Sequence, residues 1–145
     1  MENRKEEAER IKIEIDSLSR NEEFARVVAA VFMSRMNPTL EEIDDVKTAV
    51  SEAVTNAVIH GYRGGEGKIC IEAEIKGDLL TLSVQDKGVG IPDLKKAMEP
   101  MYTTDITGER SGMGFSFMEA FMDEVKVDTK PGLGTKVTMK KRIGR

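Results

Sequence analysis

Residues 39–85 read TLEEIDDVKTAVSEAVTNAVIHGYRGGEGKICIEAEIKGDLLTLSVQ, and the period of their apolar residues changes once, near Gly61. Before the glycine, Ile43, Val46, Val50, Ala53, Val54 and Ala57 recur at helical spacing and form one apolar stripe. Thr39 and Glu42 make a capping box at the start of this helix, and Gly61 stops it just after His60. Beyond the glycine the period falls to two. Ile69, Ile71, Ala73 and Ile75 alternate with Cys70, Glu72 and Glu74, and Leu80, Leu82 and Val84 alternate with Thr81, Ser83 and Gln85. With Gly77 and Asp78 between them, these runs read as a β-hairpin.

Upstream, Ile11, Ile13 and Ile15 alternate with charged residues as in a half-buried strand. Ser19 and Glu22 match a second capping box, opening a helix that runs to about Met36 and ends before Pro38. This helix has two apolar faces, one with Phe24, Val27, Val28 and Val31, the other with Ala25, Ala29 and Met33 beside Arg26. One face covers a sheet. The other, carrying Ala29 and Met33 with Glu22 and Arg26 at its rim, is expected to form a partner surface supporting a homodimer. Downstream, Leu94 to Met98 and Phe115 to Met122 read as short helices, and Val125 to Thr129 and Lys136 to Lys140 as two strands around Pro131-Gly132. The expected fold is an α+β two-layer sandwich, a mixed and mostly antiparallel sheet with helices packed on one face. Residues 92–111 lack periodicity and read as a long loop or lid.

A chain of 145 residues fits a single domain spanning 1–145. Hydrophobic residues at 39% and charged residues at 33%, with no apolar run near the roughly 20 residues that span a bilayer, exclude a membrane-spanning helix. The charged start and the lone Cys70 fit a cytoplasmic protein. A net charge of −4 argues against nucleic acid as the primary ligand. The basic cluster Lys140, Lys141, Arg142 and Arg145 reads as a solvated tail.

The glycines around Gly67-Lys68 fail the P-loop pattern, since Tyr62 and Ile69 stand where Gly and Ser or Thr are required. Gly112-Met113-Gly114 fails the dinucleotide fingerprint, with no strand before it and Phe117 in place of the third glycine. Three features remain. Asp86-Lys87-Gly88-Val89-Gly90 closes a strand and sets a carboxylate beside glycines that allow close approach of a flat ligand. Ser111-Gly112-Met113-Gly114 opens a helix, where free N–H groups favour an anion such as a triphosphate. Glu52, Asn56 and His60 form a polar column on the long helix, where Asn56 offers a carbonyl oxygen to a hard cation.

In the order Glu52/Asn56, Asp86/Gly88/Gly90, Gly112/Gly114, Gly134/Thr135, these features resemble the boxes of the Bergerat-type ATPase and kinase superfamily. SEAVTNAVIHGY at 51–62, DKGVGIPD at 86–93 and ERSGMGFSFMEAFMDEV at 109–125 are similar to the anti-sigma factor serine kinases, most of all to the sporulation anti-sigma-F branch. The resemblance implies ATP or ADP with Mg²⁺ as cofactors, with Asn56 as the metal ligand and Glu52 as general base. It implies that Asp86, with Gly88, Gly90 and Thr135, receives the adenine, and that Thr104, Ser111, Gly112, Met113 and Gly114 bind the rest of the nucleotide. Arg110 would reach the terminal phosphate, since Arg pairs well with phosphate oxygens. The implied function is an anti-sigma factor that inhibits a sporulation sigma factor and phosphorylates a serine of an anti-anti-sigma antagonist. The alternative is a nucleotide-gated binding module without chemistry, against which the presence of Glu52 argues. A sensor histidine kinase is disfavoured because the one His lies inside the nucleotide box.

Overall fold

The computed structural model describes residues 7–93, 98 and 115–144. Five strands, β1 (Glu9–Asp16), β2 (Lys68–Lys76), β3 (Leu79–Asp86), β4 (Glu124–Lys130) and β5 (Gly134–Arg142), form one sheet in the order β1-β2-β3-β5-β4. Each of the four pairings is antiparallel, so among the described residues the sheet has no parallel component. Its register explains the two layers. Ile13, Ile71, Val84, Val137 and Val127 stand side by side across all five strands, and Ile11, Ala73, Leu82, Met139 and Val125 form the next apolar row. The intervening rows, such as Arg10, Glu74, Thr81, Lys140 and Glu124, face away from the core.

Helices α1 (Asn21–Met33), α2 (Leu40–Asn56) and α3 (Phe115–Phe121) supply the other layer. The Thr39–Glu42 capping box is present in full: Glu42 N–H donates to Thr39 Oγ1 at 3.1 Å, and Thr39 N–H donates to Glu42 Oε1 at 2.8 Å. The last turn of α2 widens into a π segment, Ala57–Gly61, which carries the expected helix through His60 to Gly61. Val46, Ala49, Val50, Ala53 and Val54 are all at most 2% exposed, and α2 packs against α1, α3 and β3.

Three expectations are corrected. The first concerns Ser19 and Glu22, which form no capping box: α1 begins at Asn21 after Arg20, without a side-chain cap, and the Glu22 carboxylate instead accepts hydroxyl hydrogen bonds from Ser51 and Thr55 on α2. The second concerns the faces of α1, which are exchanged. Ala25, Ala29 and Met33 are buried, while Phe24, Val27 and Val31 are more than half exposed. The small alanines let α1 lie close against α2, which decides the orientation against the larger but bulkier valine face. The third concerns the basic cluster. Lys141 is largely buried, donates to the Phe121 carbonyl at 2.8 Å and lies 3.6 Å from Asp45; Arg142 pairs with Asp78, and Gly144 N–H donates to Glu42 Oε2 at 3.0 Å. Arg145, residues 94–97 of the short helix expected over Leu94–Met98 and most of the lid lie outside the described residues.

The contrast between the two capping patterns is directly measurable by urea denaturation. Thr39→Ala is expected to lower stability by about 1 kcal/mol, whereas Ser19→Ala is expected to stay within about 0.5 kcal/mol of the parent.

Candidate functional site

A strand end, a helix end and a hairpin meet at Asp86. The carboxylate is 6% exposed and accepts Gly88 N–H at 2.9 Å, with a further backbone hydrogen bond from Thr135, its cross-strand neighbour. Burial pushes the Asp86 carboxyl above the usual carboxylate range, and the two backbone donors oppose that shift in part. Thr135 continues the polar floor. Its hydroxyl lies 2.9 Å from Thr129 Oγ1, which also accepts Ile91 N–H at 2.9 Å and so ties the loop after Gly90 to β4.

The glycines also have a packing role that their spacing does not reveal. A Cβ on Gly88 would stand 1.9 Å from the Gly61 carbonyl oxygen, and Val89 N–H donates to that same oxygen at 2.9 Å. Gly90, at φ +77°, would place a Cβ 2.4 Å from the Lys130 carbonyl oxygen. The close approach these residues permit is therefore between strands of the chain itself: the 86–90 loop lies directly on the end of α2 and on the β4–β5 turn. Tyr62 locks the same junction, its hydroxyl donating to Lys68 O at 2.5 Å and accepting Lys87 N–H at 2.8 Å.

Asn56, at the end of α2, is 7% exposed, and neither its Oδ1 nor its Nδ2 has a hydrogen-bond partner among the described residues. An orphaned amide is costly in a packed interior, at about 1–3 kcal/mol, and its oxygen suits a hard cation. Asn56, His60, Asp86, Gly90, Ile91, Phe115 and Thr135 line one narrow cavity of about 20 Å³, the space of about one water molecule. Anything larger than a water molecule enters only as these walls part. Glu52 lies one turn before Asn56 on α2, half-buried and outside this lining.

The structure thus brings together Asn56, Asp86, Gly90 and Thr135, with Gly88 immediately beneath. Thr104, Arg110, Ser111, Gly112, Met113 and Gly114 lie outside the described residues. Sequence reasoning missed Gly61, Tyr62 and Thr129. Gly61 reads only as a helix stop, and Thr129 is an ordinary alternating residue of a strand; their roles arise from contacts distant in sequence. A roomier hollow of about 370 Å³ lies on the outer sheet face. Its charges are matched across strands, Arg10 with Glu74 at 2.8 Å and Lys12 with Glu72 at 3.8 Å, leaving none of these four uncompensated for a charged ligand.

Residues 16–141 match the family described as Histidine kinase-like ATPase domain. The anti-sigma F factor of Clostridium acetobutylicum is 58% identical over 125 residues, 86% of this chain and 87% of that protein. The anti-sigma F factor of Clostridium beijerinckii is 54% identical over 92% of this chain and 94% of its own length, and that of Bacillus licheniformis 46% identical over 92% of each. Among solved structures, the RsbU and RsbW domains of a Mycobacterium tuberculosis protein superpose with a TM-score of 0.68 at 24% identity, over 94% of this chain and 33% of that one. The catalytic domain of the histidine kinase ThkA superposes with a TM-score of 0.56 at 19% identity, over 92% of this chain and 96% of that one. Both likenesses speak for the fold, and the close sequence relatives place the chain within it: it belongs to the anti-sigma F factors of the histidine kinase-like ATPase domain family.

Proposed function

We propose that this chain is an ATP-dependent protein serine kinase that also holds a sigma factor, transferring phosphate to a serine of an anti-anti-sigma protein. The observation that carries the reading is the orphaned Asn56 amide facing the same cavity as the buried Asp86 carboxylate. One group asks for a cation and the other for a hydrogen-bond donor such as an adenine amino group, and a nucleotide with Mg²⁺ brings both. When bound, Mg²⁺-ATP supplies the phosphoryl group and neutralises its charge. Asn56 holds the metal, Asp86 fixes the base with Gly88, Gly90 and Thr135 beneath it, and Glu52 accepts the proton of the attacking serine hydroxyl. Thr104, Arg110 and Ser111 to Gly114 are assigned to the phosphate end of the nucleotide by the resemblance of the sequence motifs that hold them.

Partner binding belongs to the same reading. Arg26 on α1, half-buried beside Glu22, offers its guanidinium to an acidic or carbonyl group of a protein partner. The exposed row Phe24, Val27 and Val31 is covered by a second copy of the chain. That the close relatives are anti-sigma F factors supports a sigma factor as ligand. The single chain is one kinase domain acting in the cytoplasm.

Four outcomes are expected. Incubation with labelled ATP, Mg²⁺ and an anti-anti-sigma protein puts label on the partner's serine. Glu52→Gln lowers that transfer by about a hundredfold or more while ATP affinity stays near that of the parent; parental transfer in the variant would refute the base. Nucleotide affinity falls as pH drops, because the ionised Asp86 is the acceptor and its raised pKa brings protonation in above the ordinary 3.8. Asp86→Asn weakens binding by about tenfold or more at neutral pH, and calorimetry across pH shows the Asp86-dependent part of the slope gone. Sedimentation at micromolar concentration shows a dimer that Val27→Asp converts to monomer.

A further inference from the structure

Two hydroxyls on α2 converge on one carboxylate of α1. Ser51 Oγ donates to Glu22 Oε1 in a short hydrogen bond, and Thr55 Oγ1 donates to Glu22 Oε2 at 2.6 Å. Both oxygens of a single side chain are therefore held by residues one turn apart on the neighbouring helix. Thr55 is 4% exposed and Glu22 is half-buried, so water competes little for these bonds.

Their place in the helix gives them meaning. Ser51 directly precedes Glu52, and Thr55 directly precedes Asn56. Successive residues of an α-helix are fixed about 100° apart, so any rotation of the Ser51–Thr55 edge turns Glu52 and Asn56 by the same angle. Immediately after Asn56 the hydrogen-bond ladder changes to the wider register of the π segment, a rarer geometry that commonly adjoins functional sites. The carboxylate grips the last regular turn before that change. Apolar packing between α1 and α2 resists separation but tolerates small rotations, whereas two directional hydrogen bonds to one planar group do not.

We propose that Glu22 is a positioning residue, setting through Ser51 and Thr55 the angle at which Asn56 and Glu52 face the cleft. This rests on the nucleotide reading above. The clamp also joins the helix with the exposed apolar row to the helix with the metal ligand, so a protein settling on α1 acts on the metal ligand through Glu22.

The test compares the parent with Glu22→Ala, Glu22→Gln, Thr55→Val and the Glu22→Ala/Thr55→Val double variant, titrating ATP with and without Mg²⁺, and ADP without Mg²⁺, by calorimetry. The expected result is that the gain in ATP affinity on adding Mg²⁺ falls about tenfold in Glu22→Ala and Thr55→Val. Metal-free ADP affinity stays within about twofold, and the double variant loses no more than either single one. Phosphotransfer by Thr55→Val, whose buried hydroxyl lies off the partner surface, then shows lower kcat with an unchanged KM for the protein substrate. An unchanged Mg²⁺-dependent gain overturns the proposal, as does a fall in metal-free ADP affinity in step with it, additive losses in the double variant, or a change confined to the KM for the partner. If Glu22→Ala does not fold, Glu22→Gln and Thr55→Val decide on the same criteria. A parent that binds Mg²⁺-ATP but transfers no phosphate refutes the kinase reading and leaves the Mg²⁺-dependent gain to judge the clamp. A parent that binds no nucleotide overturns both.

Discussion

The burial of α2 against the apolar rows of the sheet is the contact on which the rest of the molecule depends. Val46, Val50 and Val54 are fully enclosed, and each such side chain contributes about 1.5–3 kcal/mol when removed from water. With that stripe fixed, the flank of the helix is placed to within the small rotations that apolar packing allows. Asn56 must stand beside the end of β3, and Gly61 must meet the 86–90 loop where only glycines leave room. Polar groups that would be a liability in a core are thus concentrated where the helix end, the strand end and the β4–β5 turn come together.

Electrostatics divides the molecule by layer. On the outer sheet face charges are numerous and neutralise one another along the strands, as with Arg10 and Glu74 or Lys140 and Glu124. Such exposed pairs stabilise weakly, by at most about 1 kcal/mol each; their value is in keeping an open sheet face and its edges unattractive to other strands. On the inner side charges are few and individually placed. Asp86 is buried beside the backbone donors of Gly88 and Thr135, and among the described residues no cation cancels its carboxylate.

How much of this was legible in the sequence depends on whether the deciding contact was local. The Thr39–Glu42 box, the Gly61 stop and the Gly77-Asp78 hairpin are settled within a few residues, and each was readable. Ser19–Glu22 has the same local signature, yet Glu22 serves residues some thirty positions away, and a hydroxyl pair on α2 outcompetes the helix terminus for it. The two faces of α1 were visible, but which one turned inward depended on the close fit of Ala25 and Ala29 against α2. Lys141 looked like tail charge because its partners, Asp45 and the Phe121 carbonyl, are distant in the chain. In the site, Asn56, Asp86 and Thr135 were found from motif order, whereas Tyr62 and Thr129 carry no local mark of their role.

The strand order has a consequence for how the site comes into being. β5, the last strand in sequence, lies between β3 and β4 in space. Until it inserts, β3 has a bare edge, Thr135 is not beside Asp86, and the loop after Gly90 has no Thr129 hydroxyl to rest on. Contacts so far apart in sequence form late, because a long loop must close before they are made. A nascent chain that has already formed α2 and the first hairpin therefore lacks the Thr135 backbone donor beside Asp86. The cavity at Asp86 is thus a property of the completed sheet and not of the helix and hairpin alone, since Thr135 and Val137 of β5 line it.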